Sequence, residues 1–232
     1  LNWNINYIFK DKKKSYNMFY KEKKENFNNA DISKVSELLS KTYKPILLIG
    51  SQAMGNSDIF NNLVKAVKKL NIPTYVSGMA RGLLAGSEMP IYRHSRKKAL
   101  READGVILAG VPVDFRLDYG RHINHKAAIV SINLSKKDLN RNRKPHKAIL
   151  ASPSKFIISL SKKYSGNGWE NWHKTLLNRD QQRMDTILTE SSKRTEFVNP
   201  LKICTAINEH TKEGDIIITP IAAGSGSGKA KI

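Results

Sequence analysis

The sequence is poor in cysteine, in acidic residues and in long apolar runs, and each shortage removes a class of explanation. One cysteine, Cys204, in 232 residues excludes an intramolecular disulfide framework and any zinc site built on two or more thiolates. Twenty acidic residues against forty Lys and Arg leave a net charge of +20, which raises nucleic acid or an anionic membrane as partners. The lysines, however, are scattered, accompanied by many asparagines and free of any RNA-binding or helix-turn-helix signature. They read as solvated surface, and no specific nucleic-acid partner is expected. No apolar run approaches the ~18 residues needed to cross a bilayer. The start, Leu1-Asn2-Trp3-Asn4, has no initiator Met and no signal-peptide pattern. The chain is therefore read as a piece of a longer protein whose N-terminus, with any membrane anchor, lies outside it.

Catalytic signatures are also missing. No Lys-Ser/Thr pair follows Gly55, so there is no P-loop, and no G-x-G-x-x-G occurs. The Gly-Ser repeat at 224–228 is not a G-x-S-x-G elbow. His94, His122 and His125 read as solvated or capping residues. No catalytic residue and no metal ligand is assigned.

What remains is a pattern of short apolar runs separated by helical stretches, concentrated between Pro45 and Leu160. Residues 1–30 mix aromatics (Trp3, Tyr7, Phe9, Tyr16, Phe19, Tyr20) with lysine runs and read as an extended arm with a short helix. Asp31 opens a helical pattern (Ile32, Val35, Leu38, Leu39), with Asp31 or Ser33 as N-cap. Strands are predicted at 45–49, 74–76, 106–109, 128–132 and 148–150, and helices at 58–70, 93–102 and 154–163, the last capped by Ser152 or Ser154. Continuous apolarity over such short runs marks strands buried on both faces, and alternation with helices predicts an α/β fold, a doubly wound, mostly parallel, Rossmann-like sheet over 31–164. Residues 165–198 read as a turn and a linker helix. Residues 199–220 read as the opening α-β unit of a further domain, with a strand at 216–218, and 221–232 as a flexible tail.

Three strands end in glycine, at Gly50, Gly78 and Gly110, so their loops open at one sheet edge. Gly50, Ser51 and Gln52 lie between a strand and a helix, where backbone N–H groups favour phosphate, although a tight structural turn explains them equally. Gly78, Met79 and Arg81 follow the second strand; Gly110, Asp114 and Arg116 follow the third. Two arginines there suit an anion such as a diphosphate. An ion-pair cluster of Asp114 and Asp118 with Arg116 and Arg121 is the competing explanation. Asn133, after the fourth strand, stands where a ribose would be held.

The series 44–53, Gly78-Met79-Ala80-Arg81-Gly82 and 103–121 with Asp114-Phe115-Arg116-Leu117-Asp118-Tyr119-Gly120-Arg121 resembles the central domain of thiamine-diphosphate-dependent enzymes, in the branch of acetolactate synthase-like proteins and 2-hydroxyacyl-CoA lyases. The likeness runs over about 31–220. It implies a parent that cleaves or joins C–C bonds next to a carbonyl with thiamine diphosphate and Mg²⁺, as a homodimer or homotetramer. This domain would sit between pyrimidine-binding and diphosphate-binding domains, and the glutamate and Gly-Asp-Gly motif of those domains are absent here, so the fragment is expected to be inactive alone. The resemblance further implies FAD, or the ADP part of coenzyme A, at Gly50, Ser51, Gln52, Gly78, Met79, Arg81, Gly110, Asp114, Arg116 and Asn133. It also implies an endoplasmic reticulum membrane location, with the cytoplasm as alternative. A nucleotide-type fold that has lost its ligand and serves as a scaffold, and, behind it, a basic nucleic-acid binder, are the other hypotheses.

Overall fold

The computed structural model describes residues 27–166, 168–212 and 215. The expected N-terminal arm up to residue 26, the strand at 216–218 and the tail fall outside them. Inter-residue contacts divide the chain into Leu1–Leu176 and Leu177–Ile232.

In the first unit, five strands, β1 (Pro45–Ile49), β2 (Thr74–Val76), β3 (Gly105–Ala109), β4 (Ala128–Asn133) and β5 (Lys147–Leu150), form one sheet of order β2-β1-β3-β4-β5. Every pairing is parallel, with Ile49 level with Val76 on one side and Ala109 on the other. All residues of β1 and β3 are buried, as their unbroken apolar sequence requires of strands covered on both faces. The helices of this unit are α1 (Asn29–Ser40), α2 (Phe60–Leu70), α3 (Arg96–Glu102), α4 (Lys136–Leu139), α5 (Pro153–Lys163) and the start of α6 (Glu170–Ser192). Because the chain leaves β1 in one direction and returns from β2 in the other, right-handed crossovers put α2 and α3 on opposite faces. Helix α5 packs on α1, α2, β3 and β4, with Phe156, Ile157 and Leu160 fully buried.

The helix starts differ from expectation where local polar bonds decide them. Helix α1 begins two residues before Asp31, because Asn28 is the cap: its Oδ1 accepts from the Asp31 N–H at 3.0 Å while Asp31 Oδ2 accepts from the Asn28 N–H at 3.0 Å. Asp31 is thus the return arm of a capping box rather than the cap. Ser152 precedes α5, but its side chain makes no capping bond and Pro153 starts the helix. The segments 51–54, 57–59, 78–82 and 115–120 are 3-10 turns; the turn at 57–59 makes α2 start at Phe60 rather than at 58, and α3 starts at Arg96 rather than at 93, after Ser95 at φ +55°.

The N-terminal edge of the sheet is tied together by side chains. Asp104 accepts from the Tyr43 and Lys44 N–H groups at 2.7 and 2.9 Å. Trp169 Nε1 donates to the Thr42 carbonyl at 2.9 Å, and Trp172 Nε1 to the Pro45 carbonyl at 3.1 Å. His173 bridges the Tyr92 hydroxyl, 2.5 Å from Nδ1, and the Asn71 carbonyl, 2.9 Å from Nε2. Since a carbonyl only accepts, Nε2 carries the hydrogen and Nδ1 accepts from Tyr92.

In the second unit, α6 continues to Ser192 and is followed by α7 (Pro200–His210). Asn199 caps α7 through the Leu201 N–H at 3.0 Å and donates to the Glu190 carbonyl at 2.8 Å. No helix among the described residues is long and apolar enough to cross a membrane.

Trp172 is 4% exposed and fills space as well as donating a bond. Trp172→Ala is expected to cost about 3–5 kcal/mol of stability, and Trp172→Phe only about 1–2 kcal/mol, from the lost hydrogen bond. Urea unfolding followed by far-UV circular dichroism checks both.

Candidate functional site

The C-terminal ends of β1 and β3 flank the point where the strand order reverses, the position at which open α/β sheets leave a crevice. The crevice depends on two glycines. A Cβ on Gly50 would lie 2.5 Å from the Gly110 carbonyl oxygen, and one on Gly110, at φ +74°, would lie 2.9 Å from Gln52 Cβ and 3.2 Å from Pro153 Cγ. Only glycine lets these two chain ends pass so closely. Between them opens a cleft of about 340 Å³ lined by Gly50, Ser51, Gln52, Ser77, Gly110, Val111, Pro112, Asp114, Arg116, Asp138 and Arg141.

Of the residues expected from sequence, Gly50, Ser51, Gln52, Gly110, Asp114 and Arg116 line this cleft. Gly78, Met79 and Arg81 stand on the adjoining turn, all three exposed, and the Met79 N–H donates to Ser51 Oγ at 3.1 Å. Asn133 is fully buried and is not among the lining residues. Its Oδ1 accepts from Gln52 Nε2 at 3.0 Å and from the Ser135 N–H at 2.8 Å, while Gln52 Oε1 accepts from the Leu134 N–H at 2.9 Å. The group expected to face a ribose instead locks the loop after β1 to the end of β4. Its Nδ2 has no partner.

The two candidate explanations for Asp114 and Arg116 resolve into a pair. Asp114 caps its own turn by accepting from the Arg116 N–H at 3.0 Å, and its carboxylate takes Arg116 Nε at 3.1 Å and Nη2 at 2.6 Å. Such a two-pronged contact is the strong form of the interaction. Burial pushes the Asp114 carboxyl up, but the Arg116 hydrogen bonds outweigh it and hold the group below its ordinary value; the same contact raises Arg116. Asp118 and Arg121 are 3.8 Å apart, a looser and more exposed pair. Both Asp118 and Tyr119 adopt positive φ, at 49° and 51°.

Of the lining residues that carried no expectation from sequence, two are charged. Asp138 and Arg141 pair at 3.1 Å at the short helix α4, which Ser135 caps by accepting from the Asp138 N–H at 3.3 Å. The Ser135-x-x-Asp138 spacing was the available signal. Each carboxylate of the cleft therefore faces an arginine, and the floor is close to charge-balanced. Among the described residues no cluster of His, Cys, Asp and Glu could hold a metal.

The model of the thiamine pyrophosphate enzyme central domain matches residues 32–160, more than half of the chain and the whole sheet. The chain belongs to this family. Its segment corresponds to the central domain of the thiamine pyrophosphate enzymes. Among curated relatives, 2-hydroxyacyl-CoA lyase 2 of Danio rerio is 35% identical over 194 residues, covering 81% of this chain and 31% of that protein. The Xenopus laevis 2-hydroxyacyl-CoA lyase 2 is 37% identical over 179 residues, 72% of this chain and 28% of that protein. A probable acetolactate synthase of Mycobacterium bovis is 33% identical over 90 residues, 38% and 16% of the two. The chain thus spans about a third of the length of the first of these relatives.

Gly110→Ala forces a side chain into a positive φ and against Gln52, and is expected to cost about 1–3 kcal/mol or more in chemical unfolding. Asp114 contributes stability that is complete above the ordinary carboxylate pKa and is lost as pH falls through its lowered folded value. Asp114→Asn should therefore narrow the gap to wild type only below about pH 4, measured as melting temperature against pH.

Proposed function

We propose that the whole protein is a thiamine-diphosphate- and Mg²⁺-dependent enzyme of the 2-hydroxyacyl-CoA lyase or acetolactate synthase kind, cleaving or forming a C–C bond beside a carbonyl. The observation that carries this is the match of 32–160 to the central domain, joined by similarity to relatives that bear those two names. When bound, thiamine diphosphate supplies the electron sink for such chemistry. No residue of this chain is assigned to that step. We propose pyrimidine-binding and diphosphate-binding domains as its partners, in a homodimer or homotetramer. For the whole protein we propose the endoplasmic reticulum membrane on resemblance; imaging of the tagged full-length protein checks it, and a cytoplasmic signal overturns it.

For the domain itself we propose a bridging role and a nucleotide-type ligand at the sheet edge. A cleft of about 340 Å³ lies near the small end of the ~300–1,000 Å³ range of ligand sites. That size, with the backbone of Gly50 and Gly110 and the cations of Arg116 and Arg141 on its wall, suits the ADP portion of coenzyme A or of FAD rather than a whole flavin dinucleotide. A second reading, a scaffold without ligand, is favoured by one observation: the Gln52 amide and Asn133 Oδ1 are spent on each other and on the loop after β4.

Isothermal titration of the 232-residue chain separates the two. ADP and coenzyme A are expected to bind with similar affinity, and FAD no more tightly than ADP. Heat signals absent for all three, unchanged in Arg141→Gln, support the scaffold.

A further inference from the structure

One modification signal in the chain conflicts with the place the fold gives it. Of all the asparagines, Asn133 alone stands in the pattern Asn-x-Ser/Thr with x other than Pro, as Asn133-Leu134-Ser135. That pattern is the acceptor for an N-linked oligosaccharide in a chain that enters the secretory lumen. A used acceptor belongs on the surface, because the glycan is bulky and hydrated. Asn133 is instead 0% exposed at the end of β4, level with Leu150 of β5, and its carbonyl accepts from the Ala151 N–H at 3.1 Å. Its Nδ2, the atom that would carry the sugar, is buried and has no partner among the described residues. The Ser135 hydroxyl, which completes the acceptor, is engaged in capping α4 by accepting from the Asp138 N–H at 3.3 Å.

The same segment is open before folding. Residues 133–135 are synthesised ahead of β5 and α5, and Asn133 is closed in by Leu150 and Ala151, which follow it in the chain. Until they arrive, an extended Asn133 is an ordinary acceptor. In the transfer, Nδ2 gives up a proton and bonds to the anomeric carbon of a lipid-pyrophosphate-linked oligosaccharide, while the anomeric C–O bond breaks and the lipid pyrophosphate leaves with the electron pair. A branched glycan on Nδ2 has no room at the folded end of β4. It would draw Asn133 out of the core, break its bonds from Gln52 Nε2 and the Ser135 N–H, and release the loop after β1 from the Leu134 N–H. Those groups would then be left unsatisfied where they are now buried, which opposes folding.

We propose that Asn133-Leu134-Ser135 is a forbidden acceptor: a glycan on Asn133 blocks the folding of this domain, so the domain folds on the cytosolic side of any membrane that holds the whole protein. The inference stands apart from the membrane location proposed above. A protein free in the cytoplasm satisfies it equally, and only a lumenal domain contradicts it. It needs no ligand at the sheet edge, so it survives or fails independently of the nucleotide-type site.

The test uses the whole protein in cells that attach N-linked glycans, each glycan being read as one endoglycosidase-sensitive step in gel mobility. His210→Thr turns the exposed Asn208 into a second acceptor. It is expected to add no step to the protein in its own location, and Ser135→Ala to remove none; a step added by the first or removed by the second places the domain in the lumen and overturns the inference. Redirected to the lumen by a cleavable signal peptide, the unaltered protein is expected to gain a step that Ser135→Ala abolishes, and this domain to lose its protease resistance. Ser135→Ala, which keeps Asn133 in place, is expected to restore that resistance in the lumen. Blocking the synthesis of the lipid-linked oligosaccharide should do the same for the unaltered sequence, which covers the case of a variant that folds poorly. A redirected protein that takes no glycan at Asn133, or takes one and stays protease-resistant, overturns the block. So does a domain that stays protease-sensitive in the lumen when the glycan is prevented by both routes.

Discussion

The passage of the Gly50 and Gly110 backbones within a distance that no side chain tolerates is the constraint on which this sheet edge depends. It sets how near the loops after β1 and β3 stand, and so lets Gln52 reach across to the end of β4. That reach fixes Asn133 and Leu134, and with them the start of α4, from which Asp138 and Arg141 face the cleft. A larger residue at either glycine would separate the two loops and undo each later contact in turn. Stability and site geometry are therefore the same problem here, as is common where a parallel sheet changes direction.

Much of this was legible in the chain. The runs Ile46-Leu47-Leu48-Ile49 and Val106-Ile107-Leu108-Ala109 can be buried on both faces only in a parallel sheet, and the structure uses them that way. The glycines after β1, β2 and β3 were readable because each ends an apolar run. Helix starts were less so: Asn28 and Asp31, three residues apart, cap each other, and spacing alone cannot say which of the two is the cap. The 3-10 turns at 51–54 and 78–82 carry too few residues to show a period.

The site was legible by position and not by orientation. Asn133 sits where the sequence put it, at the end of β4, yet its amide turns inward because Gln52 offers a partner 81 residues away in sequence. Arg116 likewise sits at the edge, but Asp114 two residues earlier bends it back into its own turn. Long-range partners decide which polar atoms stay available, and a single sequence does not display them.

Trp169 and Trp172 both donate to carbonyls at the start of the sheet, at Thr42 and Pro45, on the edge opposite the cleft. Their indoles are shielded and bonded, so their emission is a thermometer of the fold and not an indicator of what occupies the other edge. An optical assay for ligands on this domain needs a chromophore brought to the far side, for which the exposed Phe115 offers a place where a bulkier ring meets solvent rather than core.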